Sequence, residues 1–208
     1  MGIDFNAGSY FTQSSKPAML EYIVNQLRKR DFIYRPGRGY PDTLDLQINR
    51  ILNGGDASIW MKKGDCSLLI AIDEVKMDFQ RLYLSFVADC IVTDIPEEGQ
   101  NFLEEIIEVL TQFHTFAKSE ITWGGFAEDI VNIRQMEEGR LNNLYWFNIF
   151  GPRLARMIGK AKLLGAPAWL VKELPDGSVI IRASEHPHVY EKIGGIYLHE
   201  YLGLEYIG

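Results

Sequence analysis

The 208-residue sequence has little of the chemistry that usually announces a function. It holds two cysteines, Cys66 and Cys90, in or beside strand-like apolar runs, so they read as small buried hydrophobes. A bridge between neighbouring strands is sterically open to them, but a chain without a secretory signal belongs where thiols stay reduced. There is no Gly-x-Ser-x-Gly elbow; Ser58 and Ser178 lie near glycines without that spacing. Neither Gly-x-Gly-x-x-Gly nor Gly-x-x-x-x-Gly-Lys-Ser/Thr occurs, so the pairs Gly54-Gly55, Gly124-Gly125 and Gly194-Gly195 read as turns. Long apolar runs are missing too. Leu68 to Ile72 is far short of the roughly 20 residues that span a bilayer, so no membrane association is expected. Met1 to Asn6 has an early acid, no basic region and no Ser or Thr at the sixth position, unlike a secretory or myristoylation signal. A cytoplasmic location is expected.

What is present is an ordinary globular composition, 47% hydrophobic and 24% charged. Such a chain can bury a large core without metal or disulfide support, and one compact domain is expected over 1-208, with a possible sub-boundary near 137-143. Asp and Glu number 28 against 21 Lys and Arg, giving a net charge of -7. An acidic surface repels phosphate backbones, which disfavours direct nucleic-acid binding and favours a partner with a basic surface.

Along the chain, Ala18, Met19, Tyr22, Ile23 and Leu27 form a helical stripe over 16–30, ended by the Gly- and Pro-rich stretch 36–41. A second helix is expected from Leu44 to Leu52. Ser67 to Val75 and Leu82 to Val92 read as strands. A helix opening at Pro96 places Phe102, Leu103, Ile106, Ile107 and Leu110 on a core face and Glu97, Glu98, Glu104, Glu105 and Glu108 outside. Short strands follow at 119–123 and 144–150, then a helix with Pro152 in its first turn. Asp176-Gly177 between the apolar runs 167–174 and 178–183 signals a hairpin, and 187–202 can form a last helix. The mixture points to α+β, a largely antiparallel sheet with helices packed on one face.

Several groups of residues bear on function. His186-Pro187-His188 with His199-Glu200 matches no zinc spacing, and the simpler reading is a solvated turn, so neither metal nor cofactor is expected. Arg35, Arg38 and Tyr40 on a loop can grip a phosphate, against the simpler reading of an exposed basic loop. The glutamates of the 97–108 helix, with Asp89, Asp94, Glu128 and Asp129, form either a solubilising face or one that steers toward a cationic protein. Tyr145-Trp146-Phe147 must alternate across a strand, giving one core face and one available for contact.

The stretch Leu144-Tyr145-Trp146-Phe147-Asn148-Ile149-Phe150-Gly151-Pro152-Arg153-Leu154, then Ile158-Gly159, Leu163 to Trp169 and Glu173-Leu174-Pro175-Asp176-Gly177-Ser178-Val179, resembles the C-terminal half of bacterial immunity-type proteins. These are found beside polymorphic or type VI secretion toxins, in families described as type VI immunity and immunity protein 52. The resemblance covers about residues 140 to 183. It implies a non-enzymatic, cytoplasmic inhibitor that binds and blocks a cognate toxin, with no catalytic residue of its own. The acidic charge suits a toxin with a basic active site, such as a nuclease. The expected contact residues are Glu97, Glu98, Glu104, Glu105 and Glu108, with Tyr40 and Trp123. Two other readings stand beside it: an enzyme of unrecognised class using the 35–40 loop with Asp73 or Glu74, or the C-terminal histidines; and a self-assembling interaction protein.

Overall fold

In a computed structural model, the protein is described over residues 5–12, 16–37, 39–53, 58–64, 66–76, 79–88, 97–125, 138, 141, 144–187 and 195–203, with backbone alone at 73–76, 79–81, 83–88, 97–100 and 195–196. The first half runs β1 (Phe5–Thr12), α1 (Lys16–Arg28), β2 (Ile33–Tyr34), α2 (Leu44–Leu52), β3 (Ser58–Lys63), β4 (Cys66–Lys76), β5 (Phe79–Ala88), α3 (Glu97–Ala117) and β6 (Ile121–Gly125). The second half adds β7 (Phe147–Phe150), α4 (Pro152–Ile158), α5 (Lys160–Leu164), β8 (Leu170–Glu173), β9 (Val179–Arg182) and α6 (Gly195–Leu202). The strands join one nine-stranded sheet in the order β2-β3-β4-β5-β1-β6-β7-β9-β8. Every pairing is antiparallel, which agrees with the expected α+β class.

The sheet passes without a break from the first half to the second, because β6 pairs with β7 across the 126–146 connection. Within the expected sub-boundary, Glu138 is exposed and Leu141 is buried in the core; residues 137, 139, 140, 142 and 143 lie outside the described residues.

Side chains alternate along each strand, so the sheet builds a core on each face. Phe5, Ala7 and Phe11 of β1, Phe147 and Ile149 of β7 and Ile180 of β9 point to one face, covered by α1, α2 and α3 through residues such as Leu20, Ile23, Ile51, Ile106 and Phe113. Tyr10, Ile121, Trp123, Phe150, Val179 and Ile181 point to the other. There Leu154 and Ala155 of α4, Leu163 of α5 and Leu198 and Leu202 of α6 cover them. The one-face arrangement thus holds for the three helices of the first half, and the second half places its short helices opposite.

Helix ends follow from local chemistry. The Thr43 hydroxyl accepts the Leu46 N–H at 3.4 Å and opens α2. After α1, Asp31 takes φ 64° while Phe32 N–H donates to Leu27 O and Asp31 N–H to Arg28 O. The same paired closure recurs after α3, with Lys118 at φ 51°, Ser119 N–H to His114 O and Lys118 N–H to Thr115 O.

The Phe150-Gly151-Pro152 segment is scaffold. A Cβ on Gly151 would sit 2.3 Å from the Ser119 carbonyl oxygen, so only glycine permits this close approach of β7's end to β6. Pro152 then starts α4, where its missing N–H is surplus. Asn148 fixes the preceding turn by donating to Tyr145 O at 2.6 Å and accepting the Tyr145 N–H at 3.1 Å.

Candidate functional site

The outward row of α3 does not stand as unopposed negative charge. Glu104 Oε1 lies 2.6 Å from Arg182 Nη1 on β9, Glu105 Oε2 lies 2.6 Å from Lys63 Nζ on β3, and Glu108 Oε2 lies 3.1 Å from Arg30 Nη2 beyond α1. Each pair ties α3 to a different element, so these glutamates clamp the helix over the sheet while part of each carboxylate stays in water. The electrostatic steering expected of them is reduced by these countercharges. Glu97 and Glu98 open α3, but their side chains lie outside the described residues, as do Asp89, Asp94, Glu128 and Asp129.

Trp123 is corrected from a contact residue to a core residue. It is 3% exposed, packs on Tyr10 at 5.0 Å and Tyr145 at 6.0 Å between centroids, and faces Gly8 across the β1–β6 ladder. Tyr145, Trp146 and Phe147 are all buried, which removes the contact face expected there; the expected alternation also fails, because β7 begins only at Phe147, and Tyr145 enters one core while Trp146 and Phe147 both enter the other. Tyr40 is half-buried, with its hydroxyl 3.3 Å from the Ser58 hydroxyl and Arg50 5.8 Å above its ring. Arg50 also donates to Gly39 O, so the 39–40 part of the loop is held against α2. Arg38 and the side chains of Asp73 and Glu74 lie outside the described residues.

The histidines are dispersed. His199 is buried and its Nε2 accepts the Leu144 N–H at 3.0 Å; His186 is half-buried 4.0 Å from Glu185 Oε2; His188 lies outside the described residues. No three His, Cys, Asp or Glu among the described residues converge on a metal-sized centre.

His114 contributes a polar chain under α3 that sequence reasoning did not foresee. Its Nδ1 lies 2.8 Å from Thr122 Oγ1 and its Nε2 3.2 Å from Ser178 Oγ, while Ser9 Oγ bridges Thr122 and Ser119 at 2.7 Å each. Hydroxyls donate or accept as required, so the neutral ring is satisfied in either tautomer. Burial pushes its pKa down to about 4, against the smaller opposing pull of Asp176. Ser178, His114 and Asp176 resemble a nucleophile, base and acid in composition, but the Asp176 carboxylate accepts the Ser178 backbone N–H at 2.9 Å instead of orienting the ring. Both Ser178 and His114 are 0% exposed, so a substrate cannot reach them in this conformation.

A second group of polar residues, this one reaching the surface, lies where α3 meets β9. Arg182 lies between two indoles, 4.5 Å from the Trp146 centroid and 4.6 Å from that of Trp169. Its Nη2 donates to Glu185 O at 2.7 Å, and Trp146 Nε1 donates to Ser184 O at 2.8 Å. The stack runs outward, from buried Trp146 through buried Arg182 to Trp169, which is 51% exposed. Beside it opens a hollow of about 150 Å³ lined by Asn101, Glu104, Trp169, Arg182, Glu185 and His186, among others. No helix among the described residues is long and apolar enough to cross a membrane. In comparisons with known proteins, no family model matches this chain, and no curated protein or solved structure is significantly similar to it.

Proposed function

We propose that this protein is an immunity-type binding protein that neutralises a cognate bacterial toxin by occupying it, and carries out no bond-making step of its own. The observation that carries the reading is a coincidence of place. The segment resembling immunity proteins supplies Trp146, Trp169 and Arg182, and these three build the stack that reaches the surface beside the acidic helix. A half-exposed Trp at the edge of a rigid sheet is the kind of side chain on which binding energy concentrates. The net charge of -7 adds long-range attraction for a basic toxin, and a cytoplasmic site of action follows from the same reading.

Co-expression with toxin domains encoded by genes adjacent to this one tests the proposal. Restored growth and co-purification of the two chains are the expected results. Absence of both would end the reading.

A further inference from the structure

We infer that the hollow beside Trp169 receives a guanidinium group, an arginine side chain of the protein's partner. The inference deepens the binding-protein reading and takes its biological meaning from it. The charges around the hollow differ in how far they face water. Arg182 is almost completely withdrawn: its side chain is 9% exposed, its two terminal nitrogens are taken by Glu104 and the Glu185 carbonyl, and the Trp146 and Trp169 rings pack 4.5 and 4.6 Å from its guanidinium carbon. The carboxylates are not withdrawn. Glu104 keeps 54% of its side chain accessible and Glu185 keeps 64%. Two exposed carboxylates against one buried guanidinium leave the hollow with a negative mouth wherever His186, which also lines it 4.0 Å from Glu185, is neutral.

An anion entering would meet those carboxylates before any free donor of Arg182. A cation entering meets them favourably, and it also meets an indole. Arg182 covers one side of the Trp169 ring, and about half of the residue remains accessible. A second planar cation laid on that ring extends the Trp146–Arg182–Trp169 stack by one layer. Guanidinium suits this better than ammonium, because it is flat, weakly hydrated and able to bridge a carboxylate with two parallel N–H groups. The volume of about 150 Å³ is of side-chain size. The Trp169 backbone is anchored where its amide N–H donates to Ala183 O at 3.3 Å, at the open end of the β8–β9 ladder.

The test is a titration of the full chain with acetyl-arginine-amide, following the Trp169 indole N–H resonance, identified by its loss in Trp169→Phe. A saturable shift in the millimolar range is expected, with little response to the neutral isostere acetyl-citrulline-amide and weaker binding of acetyl-lysine-amide. Trp169→Ala, followed on neighbouring amide resonances, and Glu185→Gln should each weaken the arginine probe roughly tenfold. Glu185 is exposed, so its variant reports even where Trp169→Ala disturbs folding. Equal binding of citrulline, equal or tighter binding of lysine, no saturation, or indifference to Glu185→Gln would each overturn the assignment. The titration needs no toxin. Probe binding without growth rescue would remove the toxin reading and leave the pocket, while rescue without probe binding would remove the pocket alone.

Discussion

His114 on α3 and Ser178 at the head of β9, 64 residues apart in sequence, meet inside the protein with Nε2 and Oγ 3.2 Å apart. The contact couples the two halves of the chain: His114 and Thr122 of β6, which holds the other ring nitrogen, belong to the first, and Ser178 belongs to the second. It also makes stability depend on pH in a definite direction. The folded-state pKa of about 4 lies below the ordinary 6.5, so as pH falls the unfolded chain takes up the proton first. The stabilisation by neutral His114 is complete above pH 6.5 and is lost between 6.5 and 4, for a total on the order of 3 kcal/mol. Urea unfolding at pH 7 and pH 4.5 should show a larger drop for the native chain than for His114→Gln, and equal drops would refute the role given to this ring.

Gly8 and Trp123 test the register at the centre of the sheet. A Cβ on Gly8 would lie 2.3 Å from Trp123 Cζ2, and the ring is fixed by Tyr10 and Tyr145. Gly8→Ala should destabilise by roughly 1–3 kcal/mol through overpacking, despite the higher strand propensity of alanine. Gly8→Ala with Trp123→Phe should recover part of the loss in thermal unfolding. A neutral Gly8→Ala would mean that β1 does not lie against β6 in this register.

The same pair explains why β1 was not legible in the sequence. Phe-Asn-Ala-Gly-Ser-Tyr-Phe-Thr lacks the β-branched run that marks a buried strand, because its small residues make room for rings supplied from more than 100 positions away. The helices are legible where their apolar stripe is local: Leu44–Leu52 is read to the residue, α1 closes at Arg28 within the expected 16–30, and α3 continues past the expected 97–108 face to Ala117. The hairpin β8–β9 is legible from Asp176-Gly177 between two apolar runs. Three short elements escape, β2, β3 and α5, the first of only two residues and the last of five between Gly159 and Gly165. The site was less legible than the fold. A row of glutamates looks the same in sequence whether water or Lys63, Arg30 and Arg182 faces it, and the stack of Trp146, Arg182 and Trp169 requires the β7–β9 and β8–β9 registers to be known.

The turn that places Ser178 should be sensitive to its glycine. Gly177 adopts φ 87°, and Asp176 accepts the Ser178 N–H at 2.9 Å. Gly177→Ala should cost about 1 kcal/mol from the left-handed backbone, and Gly177→Asn distinctly less, since Asn tolerates that region. Chemical denaturation of the two variants checks the order, and an alanine variant as stable as asparagine would contradict it.

The three ion pairs of α3 should differ in worth although they look alike on the helix surface. Glu108 is 60% exposed and can be replaced by water around Arg30, so Glu108→Gln should change stability by no more than about 0.5 kcal/mol. Lys63 and Glu105 are each about one-third exposed and bonded through both carboxylate oxygens, so Glu105→Gln should cost somewhat more, up to about 1 kcal/mol. Glu104 is different because its partner is buried: without its carboxylate, Arg182 keeps its charge between two indoles, and its buried Nε already has no acceptor among the described residues. Glu104→Gln should therefore cost about 1.5–3 kcal/mol, the range for a hydrogen bond to a charged group. In urea unfolding at neutral pH and 0.15 M salt the order should be Glu104 above Glu105 above Glu108. Raising the salt should shrink the Glu108 and Glu105 effects and leave most of the Glu104 effect, because screening reaches exposed pairs far better than one whose cation lies inside the protein.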